Sequence, residues 1–240
     1  MGGVSDADTA FHATLAQLEL AMSQVSANVY RTLFDALGPQ AWWPADSPFE
    51  VMVGAMLVQN TAWKNVERAI QNLRDADALD PHRIAAINER ELEELIRPAG
   101  YYRIKAKRLR RLVEYFVARF DASIEAMRSV PTDVLREELL AVHGVGPETA
   151  DSILNYALDK PAMVVDAYTH RIWTRHGWID PDVDYHELQD EVARGVPHEP
   201  QIYNEFHALL VNVGHHWCKR TPKCDGCPLQ ELLPAGGLQC

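Results

Sequence analysis

An all-α fold is what this sequence predicts, on three observations. Apolar residues recur at helical spacing through nearly the whole chain, and strand signals are scarce. Gly and Pro punctuate the periodic segments at Pro98, Gly100, Pro131, Gly144, Gly146, Pro161, Gly177 and Pro181. The first helix with a clear start follows SPFE, residues 47–50. Ser47 reads as N-cap, Pro48 takes the first helical position and Glu50 reaches back, a capping box ahead of the apolar run VMVGAMLV. The next, in TAWKNVERAIQNL, puts Val66, Ala69, Ile70 and Leu73 on one face. The two meet at Gln59 and Asn60, a tight junction that exposes both amides. Further helices are expected over residues 90–96, 103–118, 133–142, 147–158, 167–176, 185–194 and 199–213, with the Gly and Pro positions as their breaks.

The composition sets the frame. With 240 residues, 47% of them hydrophobic, the chain can bury a real core in one or two domains. The start MGGVSDADTA has neither the basic residues nor the apolar run of a signal peptide, and no segment approaches the roughly 20 apolar residues that cross a bilayer. A cytoplasmic protein without membrane contact is expected. A net charge of -11 argues against a protein that coats nucleic acid nonspecifically, because phosphate affinity comes mainly from Lys and Arg. The charge is unevenly spread. Between Asp180 and Glu205 stand eight acids and one base, Arg194, whereas RIKAKRLRR (103–111) packs six bases into nine residues. That run reads either as a solvated helix face or as a phosphate-contacting one.

All four cysteines, Cys218, Cys224, Cys227 and Cys240, fall in the last 23 residues. In a chain without an export signal, such a local cluster suits a metal or an iron–sulfur group better than disulfides. The intervening residues number five, two and twelve.

The stretch VHGVGPETADSILNYAL (142–158) carries the densest local signal. Gly144-Val145-Gly146 supplies a flexible turn between two helices, and Pro147 sets the first turn of the second. Amides at that helix start can bind a phosphate without any lysine, or the glycines can make a tight structural turn. Further on, PAMVVDAYTHRI runs from an apolar stretch into Asp166 and a helix, so Asp166 taken alone reads as an N-cap.

Together, MLVQNT (56–61), RPAGYYRIKAKRL (97–109), VHGVGPETADSIL (142–154), VVDAYTHRI (164–172) and the terminal cysteines resemble the endonuclease III-like helix-hairpin-helix DNA glycosylases, over nearly the whole chain. Within that superfamily AWWP (41–44), IRPAGYY and the ETADSIL form of the helix look most like the endonuclease III-like 3-methyladenine DNA glycosylases. The resemblance implies two helical domains, one over 40–160 with the hairpin and one joining 1–39 to 161–240, with duplex DNA bound in the cleft between them by a monomer. Such enzymes flip the damaged nucleotide out of the stack. Gln59 matches the residue that fills the gap, and Gly144, Val145, Gly146 and Thr149 match the hairpin that holds the backbone.

The resemblance also assigns chemistry. Breaking an N-glycosidic bond builds positive charge on the sugar, and Asp166 matches the aspartate that stabilises it and orients or deprotonates water. In bifunctional relatives a lysine two places after the second hairpin glycine attacks the sugar as an amine. Here that residue is Glu148, which cannot form an imine, so a water-using glycosylase that leaves the strand intact is expected. As an acid in the first turn Glu148 also suits the helix dipole, and it can contact a cationic base. Trp42, Trp43 and Pro44, with Trp63, match the aromatic wall that stacks on an alkylated purine. Two departures qualify the match. Ala167 stands where the alkyladenine branch can carry a lysine, and no glutamate falls near Gly54 to Met56, which argues against the adenine-mismatch branch. The alternatives are an oxidised-pyrimidine glycosylase with little lyase activity and a DNA-binding protein without catalysis.

The family's 4Fe–4S loop spaces its cysteines by six, two and five residues, so three of the four here lie nearly in register and Cys240 is displaced. Structural zinc on the same thiolates, with His215 or His216, is the alternative. Lys219, Arg220 and Lys223 in that loop are expected on DNA phosphates.

Overall fold

The computed structural model describes residues 24–238, so Cys240 lies outside the described residues. Twelve α-helices and no strand are present among them. They are α1 (24–37), α2 (Pro48–Leu57), α3 (Trp63–Asp75), α4 (Pro81–Ala86), α5 (Glu89–Leu95), α6 (Tyr102–Phe120), α7 (Ile124–Arg128), α8 (Thr132–Ala141), α9 (Pro147–Ser152), α10 (Ala167–Arg175), α11 (Tyr185–Ala193) and α12 (Pro200–His216). Three were not expected. α4 and α7, capped by Asp80 and Ser123, are too short to show a period, and the buried stripe of α1 is little more than Val29 and Leu33. The contacts divide the chain into two compact units, Trp43–Val164 and a second made of the chain through Trp42 and from Val165 onward.

In the unit Trp43–Val164 the core is built on α2. Every residue from Phe49 to Leu57 is buried, which is why its run is apolar on all sides. Ser47 caps it as expected, its Oγ accepting from the Glu50 amide at 3.2 Å. The return half of the capping box is different. The Glu50 carboxylate accepts from the Asp46 amide at 3.4 Å and pairs with Arg74 of α3 at 2.9 Å, because a buried carboxylate is better served by a cation than by a second amide. Val66, Ala69, Ile70 and Leu73 of α3 are buried on α2, as their spacing requires. α6 adds Leu109, Leu112, Val113, Phe116 and Phe120 to the same core.

The expected helix over 147–158 is α9 followed by one wider, π-helical turn, Ile153–Ala157, packed on α2. The other unit has its own core. Trp173 of α10 is fully buried with its ring 6.0 Å from Phe206 of α12, and Tyr30 of α1 meets Phe206 edge-on at 5.5 Å. α10 and α12 approach closely at Gly214, where an added Cβ would stand 2.3 Å from the Tyr168 ring.

Candidate functional site

The two glycines of the hairpin do different work. Gly144 has φ +99, and a Cβ there would lie 2.3 Å from Cγ of Arg108, so only glycine fits. Gly146 is extended, caps α9 through its backbone, and would place a Cβ in open space. No side chain caps α9, and Pro147 opens it. The hairpin is braced beneath by a bidentate pair, Arg136 Nε and Nη2 of α8 donating to the two carboxylate oxygens of Asp151 of α9 at 2.7 and 2.9 Å. Asp151 is fully buried, so this pair ties the two helices together in a dry site.

Gln59 is already engaged with that hairpin. Its Nε2 donates to the Gly144 carbonyl at 3.2 Å and to Thr149 Oγ1 at 3.0 Å, and its Oε1 accepts from Arg108 Nη1 at 2.8 Å. Asn60 beside it is left-handed, φ +52. Below the junction, the buried Lys105 donates its three protons to the Leu57 carbonyl, Thr61 Oγ1 and the Ala99 carbonyl at 2.8, 2.6 and 2.8 Å. Burial, with the positive Arg108 nearby, lowers the Lys105 pKa to about 8.

The basic run 103–111 is therefore only partly a surface. Lys105 is buried, Arg108 binds Gln59, Arg110 donates to the Ala85 and Ile87 carbonyls at 2.8 and 2.5 Å, and Lys107 lies 3.7 Å from Glu89. Lys105, Arg108 and Arg110 are thus engaged within the unit, while Arg103, Lys107 and Arg111 are exposed and make up the part of the run that is a surface. The segment just before it holds a feature that the sequence reading passed over. Tyr101 is 72% exposed in a left-handed conformation, φ 46, at the start of α6.

Of the four residues expected to form an aromatic wall, Trp43, Pro44 and Trp63 line one cavity. Trp43 meets Trp63 edge-on at 4.8 Å and Tyr156, in the π-helical turn, at 5.3 Å. It packs on Gly54 of α2, where a Cβ would stand 3.2 Å from its ring. Trp43, Pro44 and Trp63 wall an open cleft of about 490 Å³, lined also by Ala45, Ile70, Asp46, Glu50, Glu67, Gln71 and Arg74. That size suits a small-molecule or base pocket. Trp42 and Glu148 are not among its walls, and Trp42 belongs to the other unit. Tyr156 was hidden in the sequence because a regular helix over 147–158 does not reveal the widened turn that carries it.

Asp166 is the N-cap of α10, its Oδ1 accepting from the Thr169 amide at 2.8 Å and from Thr169 Oγ1 at 3.0 Å. Oδ2 stands 3.8 Å from Nε2 of the buried His207 of α12. Burial alone would raise the carboxyl's pKa. The interaction with His207 and the two Thr169 bonds outweigh it and hold the group below the ordinary carboxylate range. Asp166 is thus an ionised cap with one oxygen left over from capping, and His207, inside an apolar helix face, gave no sequence signal.

In the C-terminal loop Cys218, Cys224 and Cys227 line one small cavity with His176, Val213, Trp217, Pro222 and Leu229. Burial pushes the Cys227 thiol up, the Leu229 amide opposes this, and Cys224 and Cys218 push it further, so the sulfurs lie close enough to affect one another. Among the described residues no three ligating side chains converge as a single-ion site requires. Arginines missed at sequence level hold the loop. Arg171 donates to the Cys218 carbonyl at 2.6 Å, and Arg175 donates to the Lys219 and Arg220 carbonyls at 2.6 and 2.9 Å and to Cys218 Sγ at 3.3 Å. The Lys219, Arg220 and Lys223 side chains are exposed, as are His215 and His216.

A glycine hairpin braced between α8 and α9, in an all-helical chain whose next helix starts at a buried carboxylate, defines a helix-hairpin-helix protein. The comparisons make the family plain: the chain belongs to the HhH-GPD superfamily of base excision DNA repair proteins, whose sequence model matches residues 53–198. It is 47% identical over 205 residues to a Methanocaldococcus jannaschii protein provisionally named a DNA repair glycosylase, covering 85% of this chain and 93% of that one. It is 30% identical to endonuclease III of Thermotoga maritima, over 77% of this chain and 81% of that one. Among solved structures, the 3-methyladenine DNA glycosylase MagIII of H. pylori bound to 1,N6-ethenoadenine matches with a TM-score of 0.67 and 32% identity, over 80% of this chain and 96% of that one. An endonuclease III trapped in a covalent complex with DNA shares the fold, with a TM-score of 0.76 at 24% identity, over 89% of this chain and 96% of that one.

Proposed function

We propose that this DNA glycosylase is monofunctional, acting as a monomer to hydrolyse the N-glycosidic bond of alkylated purines such as 3-methyladenine in duplex DNA and leaving the abasic strand intact. The observation that carries the reading is Glu148 in the first turn of α9, where an amine would be needed for imine chemistry. Asp166 supports it as the catalytic residue. A carboxylate held ionised, with one oxygen not used in capping Thr169, stabilises the cationic sugar and orients water. A purine alkylated at N3 or N7 is already cationic and leaves without strong acid catalysis. The cavity walled by Trp43, Pro44 and Trp63 fits such a base. It offers aromatic faces together with Asp46, Glu50 and Glu67 against the single cation Arg74, a balance that favours positive charge. Trp42 adds a further aromatic face to the base site, and Glu148 a carboxylate that can contact a cationic base. Gln59 fills the gap in the duplex, and Gly144, Val145, Gly146 and Thr149 seat a phosphate.

For the metal, the residues present fit a 4Fe–4S cluster: Cys218, Cys224 and Cys227 line one cavity, at spacings near those of the family's cluster loop. Cys240 would be the fourth ligand. Such a cluster would be structural, holding the loop that carries Lys219, Arg220 and Lys223.

The test is base release from duplexes containing 3-methyladenine, 7-methylguanine or thymine glycol, scored before and after alkali, with wild type and Asp166→Asn. Release of an alkylated purine, with strand breakage only after alkali and no release by the variant, is expected. Thymine glycol release with direct strand cleavage would overturn the reading of Glu148 and favour the oxidised-pyrimidine alternative. Binding without release of any base would point to a protein without catalysis.

A further inference from the structure

We infer that Arg108 is a positioning residue for Gln59: it fixes which edge of the Gln59 amide faces outward and moors the gap-filling side chain to the hairpin. This rests on the proposed gap-filling role of Gln59. An amide can be flipped without changing its shape, so its polarity is set by its partners. Here the choice is forced. Arg108 can only donate, which requires the Gln59 oxygen at Nη1, 2.8 Å away. The Gly144 carbonyl can only accept, which requires the NH2 group on the opposite side, where it also meets Thr149 Oγ1. Reversing the amide would set two donors together and two acceptors together.

The arrangement is also built into the backbone. The Arg108 stem lies against Gly144, so the residue that orients Gln59 also packs the hairpin turn. Three residues earlier on α6, Lys105 holds the Leu57 carbonyl and Thr61 Oγ1 at either end of the junction, leaving the Gln59 side chain as its adjustable part. The Gln59 bond is the one hydrogen bond the Arg108 guanidinium makes among the described residues, and its buried Nε makes none. Both Nε2 protons are taken by Gly144 and Thr149, so the pair offers the base opposite the lesion the remaining acceptor capacity of Oε1 and the unused N–H groups of Arg108, and excision depends on that base through Arg108 as well as Gln59.

The test compares Arg108→Met, Arg108→Lys, Gln59→Ala and the Arg108→Met/Gln59→Ala double variant in the full chain. Methionine keeps an apolar stem against Gly144 and removes the donor, and lysine restores a donor. The expected result is that Arg108→Met melts like wild type and binds undamaged duplex within about twofold. Its single-turnover excision falls about tenfold, the size of one lost charge-assisted hydrogen bond. Arg108→Lys recovers part of the loss, and the double variant loses no more than Gln59→Ala alone. The dependence on the opposite base flattens in Arg108→Met, and the side-chain amide NMR signals of Gln59 shift. Losses that multiply in the double variant, or Gln59 amide signals unmoved in Arg108→Met, would overturn the inference. Excision is measured on whichever base wild type releases. If it releases none, the proposed function fails while the amide signals still decide the mooring.

Discussion

Asp166 caps α10 through one oxygen and, in the function proposed, serves the sugar with the other, and the pH dependence separates the two. Its folded pKa lies below the unfolded value of about 3.9, so the stability it contributes is fully present above that pH and is lost as pH falls through the folded value. Asn caps a helix nearly as well as Asp, so Asp166→Asn keeps the bond to Thr169 and removes only the charge. The expected outcome is a variant with no excision at any pH, whose stability deficit, measured by urea unfolding, is constant near neutrality and vanishes in acid. A deficit that grew on acidification would mean that the His207 and Thr169 partners do not hold the carboxylate ionised. Lys105 shows the opposite balance. Its lowered pKa reflects the cost of a buried cation, which three acceptors offset by engaging every proton it has.

Among the elements, the pair α8 and α9 with its hairpin is the most constrained. Arg136 and Asp151 fix one helix against the other, and Gly144 supplies a turn that no side chain could enter. Gly144→Ala is therefore expected to lower stability by about 2–4 kcal/mol, from a strained backbone plus a forced shift of Arg108. Gly146→Asp, with its Cβ in open space, should melt like wild type yet bind all duplexes more weakly, because phosphate contacts position the protein without reading bases. Thermal melts and binding to damaged and undamaged duplexes check both. Equal melting of the two variants, or weaker binding by Gly146→Asp confined to damaged DNA, would contradict this division.

At the scale of the whole molecule, an acidic chain that binds DNA must concentrate its cations. The net charge is -11, and three of the six bases in the run 103–111, Lys105, Arg108 and Arg110, are engaged internally. The exposed Lys219, Arg220 and Lys223 of the cysteine loop are candidates for phosphate contact beside the exposed Arg103, Lys107 and Arg111. Replacing the three loop cations by Gln should reduce the slope of log affinity against log salt by about 3, close to one per phosphate. The loop should survive the change, since Arg175 holds it by main-chain carbonyls rather than by these side chains. An unchanged slope would place the phosphate contacts elsewhere. No helix of the described residues is long and apolar enough to cross a membrane.

Local chemistry determined much of this protein by itself. Ser47-Pro48 caps α2, the Val66, Ala69, Ile70 and Leu73 stripe buries α3, and the cap of α10 falls on Asp166, because each depends on residues a few places apart. The family was legible for a related reason: the hairpin, the aspartate and the cysteines each stand within a short segment of sequence. Only the tertiary structure decided which partners meet across long separations. Gln59 finds Gly144 and Arg108, Glu50 turns from its own capping box to Arg74, and Tyr156 brings its tilted ring within 5.3 Å of Trp43. A helix's period says which side is buried. It does not say what waits there, because that is set by close packing among segments that local sequence cannot orient.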